Sequence, residues 1–172
     1  MIAKPCDMPA TCAFRRERDG FYHWDSFEVP LNRADLGITQ IYLGIFTYPP
    51  AWIKWMLVLR TKIVSLFGIG GPTLARIKGT VRKDKYAIGE KIGLFTLYEQ
   101  REDEIIAGGD DKRLDFRVSL QKLTDARVTR VVLTTVITTH NFFGKFYLFV
   151  ILPFHRLGVK SLMSNAVAAR RL

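Results

Sequence analysis

Between Ile92 and His140 apolar and polar residues alternate with a period of two, the mark of half-buried β-strands. Ile92, Leu94, Thr96 and Tyr98 alternate with Gly93, Phe95 and Leu97, predicting one strand. Arg101-Glu102-Asp103 makes a polar turn, and residues 104–109 return. Leu114, Phe116, Val118 and Leu120 then face one way, while Arg113, Asp115, Arg117, Ser119 and Gln121 face the other. Thr124-Asp125 predicts the next turn, and residues 127–140 a long strand rich in valine and threonine. Short turns between successive strands imply antiparallel pairing.

The pattern changes to helical spacing on both sides of this block. Residues 21–31 read as a first strand carrying Tyr22, Trp24, Phe27 and Val29. Asn32 is placed to cap a helix, with Asp35 in its first turn, running to about Thr47. A second helix opens at Pro50, where proline is tolerated. Trp52, Trp55, Met56, Leu59, Ile63 and Phe67 form its apolar stripe, and Gly68 ends it. Residues 76–91 read as a basic connector. The last element starts near Asn141 or Phe142, with Phe143, Phe146, Tyr147, Val150, Phe154 and Leu157 at helical steps. Phe149, Ile151 and Leu152 make it apolar nearly all round, which predicts burial on more than one side. Pro153 is expected to kink it. Residues 1–20 show no periodicity and read as a mobile tail before a single domain, 21–172. The fold class expected is α+β: an antiparallel sheet wrapped around a long C-terminal helix, with two shorter helices after the first strand.

Composition narrows the function. At 172 residues, 48% hydrophobic and 24% charged, the chain has the makings of one globular domain with a sizeable core. Its 26 basic and 16 acidic residues give a net charge of +10. From Ala126 onward there are seven basic residues and no acid. Such an end is either a solvated face or an attraction to an anionic surface. Zinc-finger, RNP-like and basic-zipper patterns are missing, so specific nucleic-acid binding is not expected. Cys6 and Cys12 are spaced unlike a redox or zinc motif and suit a reducing cytoplasm. Residues 41–67 and 142–152 are apolar, but each is interrupted or short against the ~20 residues of a transmembrane helix. A soluble cytoplasmic protein is expected. Gly68-Ile69-Gly70-Gly71-Pro72 follows a helix and lacks the Gly-Lys-Ser/Thr ending of a phosphate loop.

Particular residues carry a resemblance. They are Asp25-Ser26-Phe27, Tyr48-Pro49-Pro50-Ala51-Trp52, Leu59-Arg60, and Gly109-Asp110-Asp111 with Leu114-Asp115-Phe116-Arg117. Thr139-His140-Asn141 with Gly144 and Tyr147, and Pro153-Phe154-His155-Arg156, complete the set. With them the chain resembles the bacterial DUF2867 family of uncharacterised proteins over roughly residues 20–160. The order of elements is similar to that of the helix-grip superfamily of START, Bet v 1-like and polyketide-cyclase domains. That resemblance implies a ligand container and assigns no reaction. Lys112-Arg113 stands where relatives often carry a histidine before Leu114.

Three functional readings follow. The leading one is a small hydrophobic molecule bound between sheet and C-terminal helix, lined by Leu114, Phe116, Val118, Phe146, Tyr147 and Val150; the same residues would equally fill a solid core. The second is a cyclase- or dehydratase-like enzyme in which Asp115, Arg117 and His140 polarise a carbonyl. Asp111, Arg113, Asp115 and Arg117 share one face and otherwise read as surface ion pairs. The third is a peripheral membrane protein that meets an anionic membrane surface through its basic C-terminal region. No cofactor or metal is called for, and no serine or cysteine nucleophile motif occurs.

Overall fold

The computed structural model describes residues 2–55, 83, 86–125 and 128–172. Its described elements are β1 (Lys4–Pro5), β2 (His23–Pro30), α1 (Ile38–Phe46), β3 (Lys91–Ile92), β4 (Phe95–Gln100), β5 (Glu104–Asp110), β6 (Leu114–Asp125), β7 (Val128–Thr139) and α2 (Phe142–Ala168). The strands form one antiparallel sheet in the order β1-β2-β7-β6-β5-β4-β3. The α+β class expected from the alternating pattern is the class observed, with the long helix laid on one face.

Alternation sorts the two faces. Phe27, Val29, Val118, Leu120, Val131 and Leu133 point to one side, where they pack with Ile41, Tyr42 and Ile45 of α1 and Val159, Met163 and Val167 of α2. The other side is covered by the N-terminal residues. Met8 and Cys12 are buried there against Val136, with Phe14, Phe21 and Trp24 around them. Several polar groups on that side are satisfied locally. Ser119 Oγ donates to Glu104 Oε1 at 2.6 Å, Ala13 N–H reaches the same oxygen at 3.3 Å, and Ser26 and Thr134 hydroxyls meet at 2.9 Å. Residues 2–20 are therefore packed structure rather than the mobile tail expected, and β1 pairs with β2 at Lys4↔Glu28. Their lack of periodicity misled because they cover the sheet as an irregular strap whose contacts lie far away in sequence.

Other differences are local. The strand expected from Ile92 to Tyr98 is a hairpin, β3 and β4, turning at Gly93, whose φ of 66° favours glycine. Thr124 and Asp125, expected in a turn, belong instead to the β6 ladder, paired with Thr129 and Val128; residues 126–127 lie outside the described residues. Helix α1 begins at Ile38 rather than at Asn32, and Gly37 N–H donates to the Gln40 side chain at 3.1 Å. Arg33 and Asp35 are occupied in the preceding turn, where Leu36 N–H reaches the Arg33 carbonyl. Residues 51–55 are helical, as the Pro50 signal predicts. Met56, Leu59, Ile63 and Phe67 of the expected stripe, and most of the connector, lie outside the described residues.

Helix α2 is fixed at its start. Asn141 Oδ1 accepts from Gly144 N–H at 2.9 Å and Asn141 Nδ2 donates to the Lys112 carbonyl at 3.2 Å. Gly144 lies against the backbone of Arg113: a Cβ there would stand 2.2 Å from the Arg113 carbonyl oxygen. The helix is assigned without a break through Pro153, which lies on its exposed side, where the carbonyl that proline leaves without its donor borders no core.

Candidate functional site

The two halves of α2 do different work. From Gly158 onward the helix buries Gly158, Val159, Met163, Ala166 and Val167 in the core. Before that only Gly144 and Leu148 are buried. Phe142, Phe146, Phe149, Val150, Phe154 and Leu157 recur at three- and four-residue steps along one exposed stripe, joined by Phe143. Phe142 and Phe149 are 76% and 79% exposed, whereas Leu148 is 2% exposed. The expected burial on several sides is thus not what the structure has. Isolated exposed apolar residues are ordinary, but seven large ones on adjoining turns of one helix make a contiguous patch of the kind that marks an interaction surface.

Cations border the patch. Lys145 reaches over the Tyr22 ring at 5.4 Å and Lys160 over Phe27 at 5.5 Å. Arg156 is half-exposed beside Asp25. The helix carries no aspartate or glutamate. By length and composition α2 is the one helix among the described residues apolar enough to cross a membrane. Its docked second half argues against spanning: the outward portion, Phe142 to Leu157, measures about 24 Å at about 1.5 Å per residue, short of a hydrocarbon core of about 30 Å.

A buried carboxylate ties this portion to the sheet. Asp25 is on the α2 side of β2. His23 Nε2 lies 3.2 Å from its Oδ2, His155 Nε2 3.5 Å from its Oδ1, and Arg156 Nε 3.6 Å from its Oδ2. Asp25 is 8% exposed. Burial alone would raise its pKa; contacts with His155 and His23 outweigh burial and hold the carboxyl well below the usual carboxylate range. The His155 contact is an ion-pair approach rather than an aligned hydrogen bond, since both of its atoms are buried without a hydrogen-bond partner. Asp25 thus gathers up to three positive charges where the helix leaves the core.

The residues expected to act on a carbonyl do come together, on the opposite face of the sheet. His140 Nε2 lies 3.0 Å from Asp115 Oδ2. Arg117 Nη1 is 2.6 Å from Asp110 Oδ1, donates to the Phe116 carbonyl at 2.9 Å, and its guanidinium stacks 3.8 Å from the Tyr98 ring centre. Tyr98 O–H in turn donates to Asp110 at 2.6 Å. The Tyr98 hydroxyl and the Arg117 charge both lower the Asp110 pKa. Asp110 and Asp115 are cross-strand neighbours. Arg117 is thereby engaged on several sides and clamps β4, β5 and β6. Arg113 stays 4.0 Å from Asp111, an outlying member of the same charged face.

The expected lining residues divide. Val118 is buried in the core, Leu114 and Phe116 are half-buried, and Phe116 stacks edge-on against Phe95 at 5.2 Å. Phe146 and Val150, at 62% and 49% exposed, point away from the sheet, and Tyr147 is half-buried. The two cavities described lie elsewhere: a cleft of about 940 Å³ beside α1 and a smaller one of about 340 Å³ near Cys6 and Pro9. No group of three or more His, Cys, Asp or Glu residues suited to a metal ion occurs among the described residues.

A model of a protein family described as a protein of unknown function, DUF2867, matches residues 18–162. The chain belongs to the DUF2867 family. No curated protein and no solved structure matches it. The DUF2867 match takes in both the exposed aromatic half of α2 and the Asp25 cluster. In the sequence Asp25-Ser26-Phe27 and Pro153-Phe154-His155-Arg156 stand far apart and enter only as separate marks of the resemblance. The available signal was parity: Asp25 shares its face of β2 with Phe27 and Val29, the face on which a C-terminal helix must lie.

Proposed function

We propose that this DUF2867 protein is a peripheral membrane-binding protein that docks on an anionic bilayer surface through the first half of α2. The observation that carries this reading is the stripe of Phe142, Phe146, Phe149, Val150, Phe154 and Leu157, all exposed on a helix whose other side is anchored. An amphipathic helix lying in the interface places such residues at the acyl boundary and its cations at the headgroups. Lys145, Arg156 and Lys160 supply those cations, each contributing ~1 kcal/mol near an anionic surface. The hydrophobic partner expected between sheet and helix becomes, on this reading, the acyl layer itself, met by an open face.

The test is sedimentation of the full chain with phosphatidylcholine vesicles, with and without phosphatidylglycerol, at low and high salt. Association that needs the anionic lipid, weakens in salt and is lost in Phe149→Asp supports the reading. A wild-type chain that stays in the supernatant at low salt overturns it. A stable dimer dissolved by Phe149→Asp, with no vesicle binding, also overturns it and assigns the stripe to a second copy.

The enzyme reading rests on the Asp115–His140 pair, whose 3.0 Å separation suits a histidine oriented by a carboxylate. The engagement of Arg117 by Asp110, Phe116 and Tyr98 favours a structural clamp for that residue.

A further inference from the structure

The larger cleft is bounded by the start of α1, by the turn after β4 and by the residues that end α2. It is far from the exposed aromatic stripe: Leu157 and Arg170 are separated by about 20 Å of helix at about 1.5 Å per residue. Its lining carries five basic residues, Arg33, Lys83, Arg101, Arg170 and Arg171, and one acid, Glu102. Arg33 and Arg101 line it but are occupied, by Asp35 at 3.1 Å and by Glu99 at 2.6 Å. Arg171 is not. Among the described residues its buried Nε and Nη2 atoms have no hydrogen-bond partner, while its guanidinium stands 4.8 Å from the Tyr48 ring centre. A buried guanidinium nitrogen without an acceptor is costly, because it has given up water and gained nothing.

The backbone holds this arginine in place. Helix α2 ends with Arg171 N–H bonded to the Ala166 carbonyl at 2.9 Å and Arg170 N–H to the Val167 carbonyl at 3.0 Å. That pattern needs a left-handed residue, usually glycine, at its centre. Here it is Arg170, at φ 53°. The Arg170 side chain lines the cleft and has no ion pair or hydrogen bond among the described residues. The turn sits directly on α1, where a Cβ on Gly44 would come within 3.3 Å of the Arg171 carbonyl oxygen. Leu36, Ile38 and Leu43 add an apolar wall, and the first turn of α1 holds no acid. The volume falls within the range of small-molecule sites.

We infer that this cleft binds a small anion-bearing molecule, a phosphate or carboxylate carried on an apolar body, with Arg171 and Arg170 as its charge donors. A planar guanidinium stacked on a ring is suited to bidentate capture of either group. Burial also pulls the Arg171 pKa down, and an anion in the cleft would relieve that burden.

The test is an NMR titration of the ¹⁵N-labelled full chain at constant ionic strength, following the arginine Nε–H signals and the amides of residues 37–40. Inorganic phosphate and acetate distinguish the two anion classes. Soluble dihexanoyl phosphatidylglycerol distinguishes a lipid headgroup from a free anion. Saturable shifts of the Arg171 Nε–H signal with any of the three, tenfold or more weaker in Arg171→Gln and in Arg170→Gln and unchanged in the distant Arg16→Gln, support the inference. Shifts that chloride reproduces, or that persist in both cleft variants, overturn it. Should Arg171→Gln lose its native amide spectrum, Arg170→Gln and the wild-type Nε–H signal decide alone. Vesicles are absent throughout, so the result stands apart from that of the membrane reading.

Discussion

At the scale of single residues, Asp25 is the most exacting position. It is buried among His23, His155 and Arg156, and it joins β2 to α2 where the helix turns from core to surface. Removing one member of a buried charge cluster leaves the others without compensation, at a cost of about 3 kcal/mol or more. Asp25→Asn is therefore expected to lower the unfolding free energy measured in urea by that amount. The pH dependence has a definite sign. The folded carboxyl titrates below its unfolded value, so its stabilisation is complete above the unfolded carboxylate range near about 4 and is withdrawn as pH falls toward the depressed value. Acid unfolding followed by circular dichroism should therefore lose most of its steepness below that range in Asp25→Asn. An unchanged acid limb would mean that Asp25 is not the group responsible.

At the scale of the element, α2 joins two kinds of helix. Leu148 and Phe149 are neighbours in sequence with opposite surroundings, 2% and 79% exposed. Leu148→Asp should unfold or severely destabilise the protein, since it buries an unpaired carboxylate. Phe149→Asp should leave the thermal midpoint nearly unchanged while reducing vesicle partitioning roughly tenfold or more, the equivalent of a Phe contribution of ~2 kcal/mol. Equal losses of stability from the two substitutions would show that the stripe is covered within the folded chain. The helical period was legible in the sequence, but its direction was not. A helix apolar all round gives no contrast from which to choose a buried side, and Gly144, which allows the close approach to Arg113, stands in the sequence only as a mark of the resemblance.

For the whole molecule, the N-terminal strap matters more than its sequence suggests. Ala3, Met8 and Cys12 are buried, and the Ala13 amide contacts the buried Glu104. Deleting residues 2–14 would uncover the second face of the sheet. That deletion should cost about 3 kcal/mol or more, since two or three buried side chains return to water. Denaturant unfolding of the shortened chain measures this directly; a midpoint equal to that of the full chain would mean that the strap is an ornament.

The sequence by itself determined the class of fold, the antiparallel order of β4 to β7 and the presence of a long terminal helix. Period-two alternation and short turns are local properties, and they suffice for local pairing. It also set the charge, with cations and no acid after Ala126. Only the tertiary structure decided which side of α2 meets the core, that Asp25 meets His155 across 130 positions, and that the Arg171 guanidinium ends in a cleft beside Tyr48. Each of these depends on distant segments being packed together, and neither periodicity nor composition carries information about which residues end up as neighbours.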